Sequence, residues 1–257
     1  MNRIDNLFEK EKKGVLSVYF TAGFPQLNDT VPVIQSLEKN GVKLIEIGIP
    51  FSDPMADGPV IQSSGSKALK NGMSLSILFN QLSTVRDSVK IPLILMGYLN
   101  PIMQFGFDKF CAAAKRCGVD GVIIPDLPFE DYLENYKLIA EAHNVHIIML
   151  ITPETSEERI RLIDTHTGGF IYMVSAASVT GAKSSFSEDN LAYFNRVNAM
   201  QLKNPRMIGF GISNKSTFDA ACDNASGAII GSKFVSLLES EETIEGAVEG
   251  LIDAIAK

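Results

Sequence analysis

The side chains best suited to acid–base chemistry in this sequence are the carboxylates of Glu46 and Asp57. Glu46 lies within the apolar run Leu44–Ile49, where an unpaired carboxylate is costly, so it is either satisfied by partners or retained for chemistry. Asp57 follows in a loop rich in proline and glycine, where an aspartate alone is typical of a turn. Two carboxylates in different environments suit a reaction that needs an acid and a base together.

A second region of interest begins with the apolar run Gly169–Val174 and continues as a long loop of small and polar residues. Such a loop is typical either of a lid that closes over substrate or of an ordinary surface connection. Within the run, Tyr172 either points its hydroxyl toward the carboxylates or fills the core.

The third region consists of two glycine-containing runs, Gly209–Ser213 and Ile230–Lys233. Glycines allow backbone amides to approach an anion, and a helix that begins near Ser232 would add its N-terminal dipole. In a barrel, these two strand ends are where phosphate groups bind. We therefore expect a phosphate site here, with glycines that merely form turns as the alternative.

Short β-branched runs alternate with longer segments of helical periodicity, which is the pattern of parallel strands joined by crossover helices. The predicted strands are Gly14–Thr21, Leu44–Ile49, Pro92–Met96, Gly121–Pro125, His146–Ile151, Gly169–Val174, Arg206–Phe210 and Gly227–Ile230. We predict an α/β fold, a single (β/α)8 TIM barrel in one domain over residues 1–257. A doubly wound open sheet stays open as an alternative, because periodicity cannot count strands around a closure.

Local signals place helices between these strands. Asn28–Thr30 is typical of a helix start, and the helix is expected to end at Asn40–Gly41. The same kind of stop recurs at Asn71–Gly72 and Cys117–Gly118. An extra N-terminal helix is expected to cover the bottom of the barrel, because apolar residues recur at helical spacing in Ile4, Leu7 and Phe8.

Composition narrows the classes of partner. A net charge of -7 disfavours a nucleic acid or an anionic membrane surface, so any phosphate must be held locally. Neither a secretory signal nor a run of about 18 apolar residues is present, which predicts a cytoplasmic protein with no membrane span. No metal is expected, because the cysteines and histidines match no ligand spacing; these are Cys111, Cys117, Cys222, His143, His146 and His166.

The longest unusual segment is Glu46–Gln62, which reads EIGIPFSDPMADGPVIQ. Shorter distinctive segments are Asn6–Phe8, Phe20–Pro25, Pro125–Pro128 and Val179–Gly181. Together they resemble the tryptophan synthase alpha subunit family over essentially the whole chain. The resemblance implies a lyase of L-tryptophan biosynthesis that splits indole-3-glycerol phosphate into indole and D-glyceraldehyde 3-phosphate.

The resemblance also assigns roles to individual positions. The family's catalytic glutamate, catalytic aspartate and substrate-site tyrosine match Glu46, Asp57 and Tyr172. Its lid threonine matches Thr180, and its indole-pocket positions match Tyr19 and Phe210. Its phosphate contacts match Gly181, Gly211, Gly231 and Ser232. The lid departs from the family at Ser178, where glycine is common, and this narrows the backbone freedom of that loop.

The resemblance further implies a partner. The loop from Pro50 through Asp57, with Pro50 and Asp53 at the interface, corresponds to the surface that meets a beta subunit in an alpha2-beta2 tetramer. The alpha chain of this family carries no cofactor, and pyridoxal phosphate (PLP) belongs to the beta subunit.

Three other functions stay open. A different phosphate-sugar barrel of the same biosynthetic branch would share the glycine-containing runs, but the segment from Glu46 to Asp57 argues against it. A barrel that serves only as an allosteric partner is disfavoured by the intact Glu46, Asp57 and Tyr172. A free-standing lyase that releases indole without a partner is not separated from the subunit form by sequence.

Overall fold

A parallel β-sheet forms the centre of this protein. The computed structural model describes residues 2–175 and 186–256. Within those ranges all strand pairs are parallel, in the order β5-β4-β3-β2-β1-β9-β8-β7-β6. The strands are β1 (Val15–Thr21), β2 (Leu44–Gly48), β3 (Leu93–Met96), β4 (Gly121–Ile123), β5 (His146–Ile148), β6 (Leu150–Ile151), β7 (Ile171–Val174), β8 (Arg206–Gly209) and β9 (Gly227–Ile230).

The two ends of this order are parts of one interrupted strand. Only Met149 separates β5 from β6, and β5 pairs with β4 while β6 pairs with β7. The sheet is therefore closed through this strand, and the predicted (β/α)8 barrel is confirmed. The open doubly wound sheet is excluded. All eight predicted strands are present, and no predicted end differs from the observed one by more than two residues.

Helices surround the barrel in the described part of the chain. They are α1 (Arg3–Lys10), α2 (Thr30–Lys39), α3 (Pro59–Lys70), α4 (Leu75–Leu82), α5 (Leu99–Phe105), α6 (Phe107–Cys117), α7 (Phe129–Asp131), α8 (Lys137–Ala142), α9 (Glu157–His166), α10 (Glu188–Ala199), α11 (Lys215–Asn224), α12 (Ser232–Ser240) and α13 (Ile244–Ala256). A 3-10 turn spans Val85–Asp87, and a π-helical segment at Tyr132–Tyr136 joins α7 to α8. Among the helices described, none is long and apolar enough to cross a bilayer.

The local helix signals are largely confirmed. Helices α2, α3 and α6 end directly before or within the predicted stops. The start of α2 differs in detail, because Asp29 occupies the N-cap position but makes no side-chain bond to the helix. Its carboxylate instead accepts a hydrogen bond of 2.9 Å from the amide of Gln26, which orders the preceding turn.

The N-terminal helix α1 covers the bottom of the barrel, as predicted. Ile4 and Phe8 are buried, and the ring centroid of Phe8 lies 6.0 Å from that of Phe170, directly before β7. Asn2 caps the helix and donates a hydrogen bond of 2.8 Å to the carbonyl of Asp120, directly before β4. These contacts all fall at the N-terminal ends of strands, so the opposite end of the barrel is left open.

The interior of the barrel is largely apolar. It contains a cluster of buried apolar side chains that includes Val15, Leu44, Ile94, Ile123, Phe170 and Met207. Ser17 and Glu46 also lie in the interior and are fully buried. Because a polar side chain inside a barrel must find a partner or carry a function, these two residues direct attention to the upper end.

Candidate active site

A cavity of about 700 Å³ lies at the carboxyl ends of the strands. Eight of the residues predicted from the sequence line it together: Tyr19, Glu46, Asp57, Tyr172, Phe210, Gly211, Gly231 and Ser232. Thr180 and Gly181 lie outside the described residues, as does Ser178. Pro50 and Asp53 belong to the adjoining loop, where Pro50 is half-buried and Asp53 is exposed.

Glu46 is held at the base of this cavity by a single neighbour. Its side chain is fully buried, and Oε1 accepts a hydrogen bond of 3.0 Å from Ser17 Oγ. Within the described residues Oε2 has no hydrogen-bond partner. Burial raises the pKa of Glu46 to about 8, although the bond from Ser17 lowers it. Glu46 therefore holds its proton at neutral pH and can act as a proton donor.

The raised pKa of Glu46 gives a first prediction, on stability. An unfolded glutamate ionises near 4.5, whereas the folded carboxyl holds its proton to about 8. The stability that Glu46 contributes is therefore complete below the unfolded pKa and is lost as pH rises toward the folded pKa. Glutamine does not ionise, so the Glu46→Gln variant does not lose this stability as pH rises. The free energy of unfolding of the variant should therefore exceed that of the wild type by roughly 3 kcal/mol at pH 7.

Urea unfolding of both proteins, in mildly acidic buffer and near pH 8, measures this difference. The gap should widen as pH rises. A gap of constant size would show that the folded pKa of Glu46 is not raised.

Asp57 is held in place by Tyr98, which lies two residues after the end of β3. Partial burial raises the pKa of Asp57, and a hydrogen bond with the Tyr98 hydroxyl lowers it. The same hydroxyl accepts a hydrogen bond of 2.9 Å from the amide of Ala56, and the Tyr98 ring lies 5.4 Å from that of Phe51. Tyr98 thus ties both ends of the loop to the end of β3. Tyr98 was not among the residues predicted from the sequence, although a polar side chain shortly after a strand was the available signal.

Two tyrosines face the carboxylates from the barrel wall. The pKa of Tyr172 is well above its usual value. Burial is the larger cause, and the nearby charge of Glu46 is the second. Burial and the charge of Asp57 raise the pKa of Tyr19 in the same way. Both hydroxyls are therefore neutral hydrogen-bond donors at physiological pH. Phe210 has a positive φ of 73° and its ring meets that of Tyr172 edge-on, with centroids 6.3 Å apart.

Glycines on adjacent strands make room for these tyrosines. A Cβ atom on Gly48 would overlap the hydroxyl of Tyr19, and one on Gly209 would overlap the hydroxyl of Tyr172. From the sequence, Gly209 was expected in an anion-binding run, and Gly48 had no predicted role. In the structure both residues admit a ring that crosses the neighbouring strand.

The far end of the cavity is suited to an anion. Helix α12 begins at Ser232, as predicted, and Gly231 is its N-cap residue. The first amides of a helix lack intrahelical acceptors and carry the positive end of its dipole. Lys233 lines the same end and is the one cationic side chain among the described lining residues. Lys233 was predicted only as the last residue of the run Ile230–Lys233, because a lone lysine carries no signal of its own.

No cluster of three or more potential metal ligands occurs in the described ranges.

Comparisons with known proteins agree with one another. The family model for the tryptophan synthase alpha chain matches residues 6–255. A protein of that name from Parabacteroides distasonis is 64% identical over 255 residues, covering 99% of each chain. The crystal structure of the alpha chain from Legionella pneumophila is similar with a TM-score of 0.87 and 36% identity, covering 99% of this chain and 96% of that one. A tryptophan synthase complex from Pyrococcus furiosus contains a chain with a TM-score of 0.86 and 32% identity, covering 96% of this chain and 99% of that one.

Proposed function

Because the chain belongs to the tryptophan synthase alpha chain family, we propose that it is a lyase that cleaves indole-3-glycerol phosphate to indole and D-glyceraldehyde 3-phosphate. The observation that carries the proposal is the shared cavity. The base holds the buried, protonated Glu46, the rim holds Asp57, and the far end holds the start of α12 with Lys233. That arrangement matches a substrate with an aromatic ring at one end and a phosphate at the other.

The cleavage is a retro-aldol reaction with two proton transfers. Carbon C3 of the indole ring gains a proton, the bond to the glycerol chain breaks, and the side-chain hydroxyl loses its proton to leave an aldehyde. Glu46 performs both transfers: its neutral carboxyl gives the first proton to C3, and the resulting carboxylate takes the second from the hydroxyl. The residue ends in its starting state, so no further acid or base is needed.

Asp57 and Tyr172 act on the charges that develop. The carboxylate of Asp57 accepts a hydrogen bond from the indole N–H and stabilises the positive charge that forms on the ring after C3 is protonated. Tyr172 stays neutral and orients the side-chain hydroxyl toward Glu46. Tyr19 and Phe210 bound the space that the indole ring occupies.

The phosphate supplies binding energy remote from the reacting atoms. Gly211, Gly231 and Ser232 lie at the end of the cavity where this group would bind. Gly181 is proposed as a further phosphate contact, and Thr180 as the lid threonine that contacts Asp57. Energy from such contacts holds the indole ring between the two carboxylates.

Lys233→Ala should weaken substrate binding and leave the chemical step intact. A charge-assisted hydrogen bond to a phosphate oxygen contributes roughly 1.5–3 kcal/mol, and partial exposure reduces this, so KM should rise by about tenfold with kcat unchanged. Steady-state cleavage by the isolated chain measures both constants. Lys203→Ala, which removes a lysine that bonds to the carbonyl of Thr165, is the matched control. An unchanged KM in Lys233→Ala would remove Lys233 from the phosphate site.

The exposed loop beside the cavity is the proposed partner surface. A chain similar to this one occurs in the Pyrococcus furiosus tryptophan synthase complex, and in this chain Met55 of the loop is 86% exposed. We propose that Pro50, Asp53 and their neighbours bind a PLP-containing beta subunit in an alpha2-beta2 tetramer, which receives the indole. Since Asp57 closes the same loop, a partner bound there acts directly on the active site.

The remaining properties follow from this proposal. We further propose that the chain is a single domain and that it works in the cytoplasm. It uses no cofactor of its own in this proposal, because each step above is carried by its own side chains.

The direct test is indole release from indole-3-glycerol phosphate, measured with and without a beta subunit. Slow release that rises sharply with the partner supports both the activity and the coupling. Full activity of the isolated chain would indicate a free-standing lyase. Absence of cleavage in both conditions would overturn the assignment and favour another phosphate-binding barrel.

A further inference from the structure

Ser17 and Glu46 form a hydrogen-bonded polar pair in the barrel interior. Both side chains are fully buried, and the 3.0 Å bond from Ser17 Oγ to Glu46 Oε1 links β1 to β2. In the strand register Tyr19 stands beside Glu46, while Ser17 stands beside Leu44. Ser17 therefore lies one interior position below the carboxyl group and anchors it from the closed side of the barrel.

We propose that Ser17 is the positioning residue for Glu46, because its hydroxyl holds Oε1 and leaves Oε2 as the oxygen that exchanges both protons with the substrate. The inference rests on the proposed function of Glu46. Among the described residues Oε2 has no partner, and Glu46 lines the cavity, so one oxygen is occupied while the other is free.

The chemistry of the reaction gives this bond a second consequence. Once Glu46 has protonated C3, it remains as a carboxylate in a fully buried position until it takes the proton from the hydroxyl. An unpaired buried anion is strongly disfavoured, and Ser17 is its one hydrogen-bond donor in the described part of the chain. The bond therefore stabilises the carboxylate between the two transfers.

The same bond limits how far burial raises the pKa of Glu46, and it therefore shifts the pH range of the enzyme. Donation from Ser17 favours the carboxylate and lowers the pKa of Glu46, so loss of the hydroxyl raises that pKa. Within the described ranges, the other titratable groups that face this part of the cavity are Tyr19 on β1, Tyr172 on β7 and Asp57 in the loop. Burial raises the pKa of both tyrosines, so they keep their protons to higher pH than Glu46 does.

Ser17→Ala and Ser17→Thr separate positioning from packing. In Ser17→Ala we expect KM to stay constant, kcat to fall by about tenfold, and the alkaline fall of kcat/KM to move to higher pH. Ser17→Thr retains a hydroxyl on a side chain that suits a strand, and it should restore both kcat and the pH profile of kcat/KM. Ser36→Ala is the control, because it removes a buried hydroxyl that has no partner among the described residues and that lies in α2, outside the cavity.

Infrared titration of the Glu46 carboxyl in substrate-free protein keeps this inference separate from the proposed function. The signal is identified by its absence in Glu46→Gln, and its midpoint should rise in Ser17→Ala and return in Ser17→Thr. An unchanged midpoint in Ser17→Ala, or equal losses of kcat in both Ser17 variants, would overturn the role of Ser17. Absence of cleavage by the wild type would instead overturn the proposed function.

Discussion

Glu46→Gln should lower the turnover of indole-3-glycerol phosphate by about a thousandfold or more. The glutamine amide has nearly the shape of the carboxyl group and still accepts a hydrogen bond from Ser17, but it cannot release or take up a proton. Since one residue performs both transfers, no neighbouring group replaces it. Single-turnover indole release by the isolated chain measures the loss.

Two measurements show that the loss is chemical. The variant should be more stable than the wild type near neutral pH, because it lacks a buried carboxyl group whose pKa is raised by folding. Its affinity for a small phosphate ester such as glycerol phosphate should be unchanged, because the phosphate end of the cavity is intact. Near-normal turnover would remove Glu46 from the mechanism.

Asp57→Asn should lower kcat by about a hundredfold to a thousandfold. Asparagine still accepts a hydrogen bond from the indole N–H through Oδ1, so substrate binding is largely kept. It lacks the negative charge that stabilises the protonated ring, and that charge matters only in the transition state. The loss should therefore appear in kcat more than in KM, as steady-state kinetics of the isolated chain can measure.

Asp108→Asn is the matched control for this substitution. Asp108 is an exposed aspartate of α6 that bonds to His143, far from the cavity, and its replacement should leave kcat unchanged. A loss confined to KM in Asp57→Asn would mean that Asp57 binds the substrate without stabilising the transition state.

Much of the fold follows from local features of the sequence. The β1–β9 runs are apolar on both faces and are bounded by glycine, asparagine and proline, so each run is identifiable without knowledge of its neighbours. The break in the fifth predicted strand at Met149 was not predicted, because the loss of strand pairing at one residue does not change the apolar pattern of the sequence. Local pattern therefore predicts the order of elements well and the details of pairing less well.

The residues of the candidate site also differ in whether local sequence pattern could predict them. Glu46 and Asp57 were identifiable because a carboxylate within an apolar run, or at a strand end, is unusual in its own right. The bond between Ser17 and Glu46 joins residues 29 positions apart, and a buried serine in a strand has no distinctive pattern. The contacts of Tyr98 with Asp57, and of Gly209 with Tyr172, likewise exist only after the barrel closes.

In the proposed mechanism, a proton held by the buried Glu46 starts the cleavage. The pH dependence of kcat/KM for the wild-type chain tests this step most directly, because kcat/KM reports ionisation of the substrate-free enzyme. Because the protonated carboxyl is the reactive form and its pKa is raised to about 8, kcat/KM should be level near neutral pH and fall as pH rises through that value. A kcat/KM that rises through the same range would contradict this mechanism, because the reactive form of the enzyme would then be the deprotonated one.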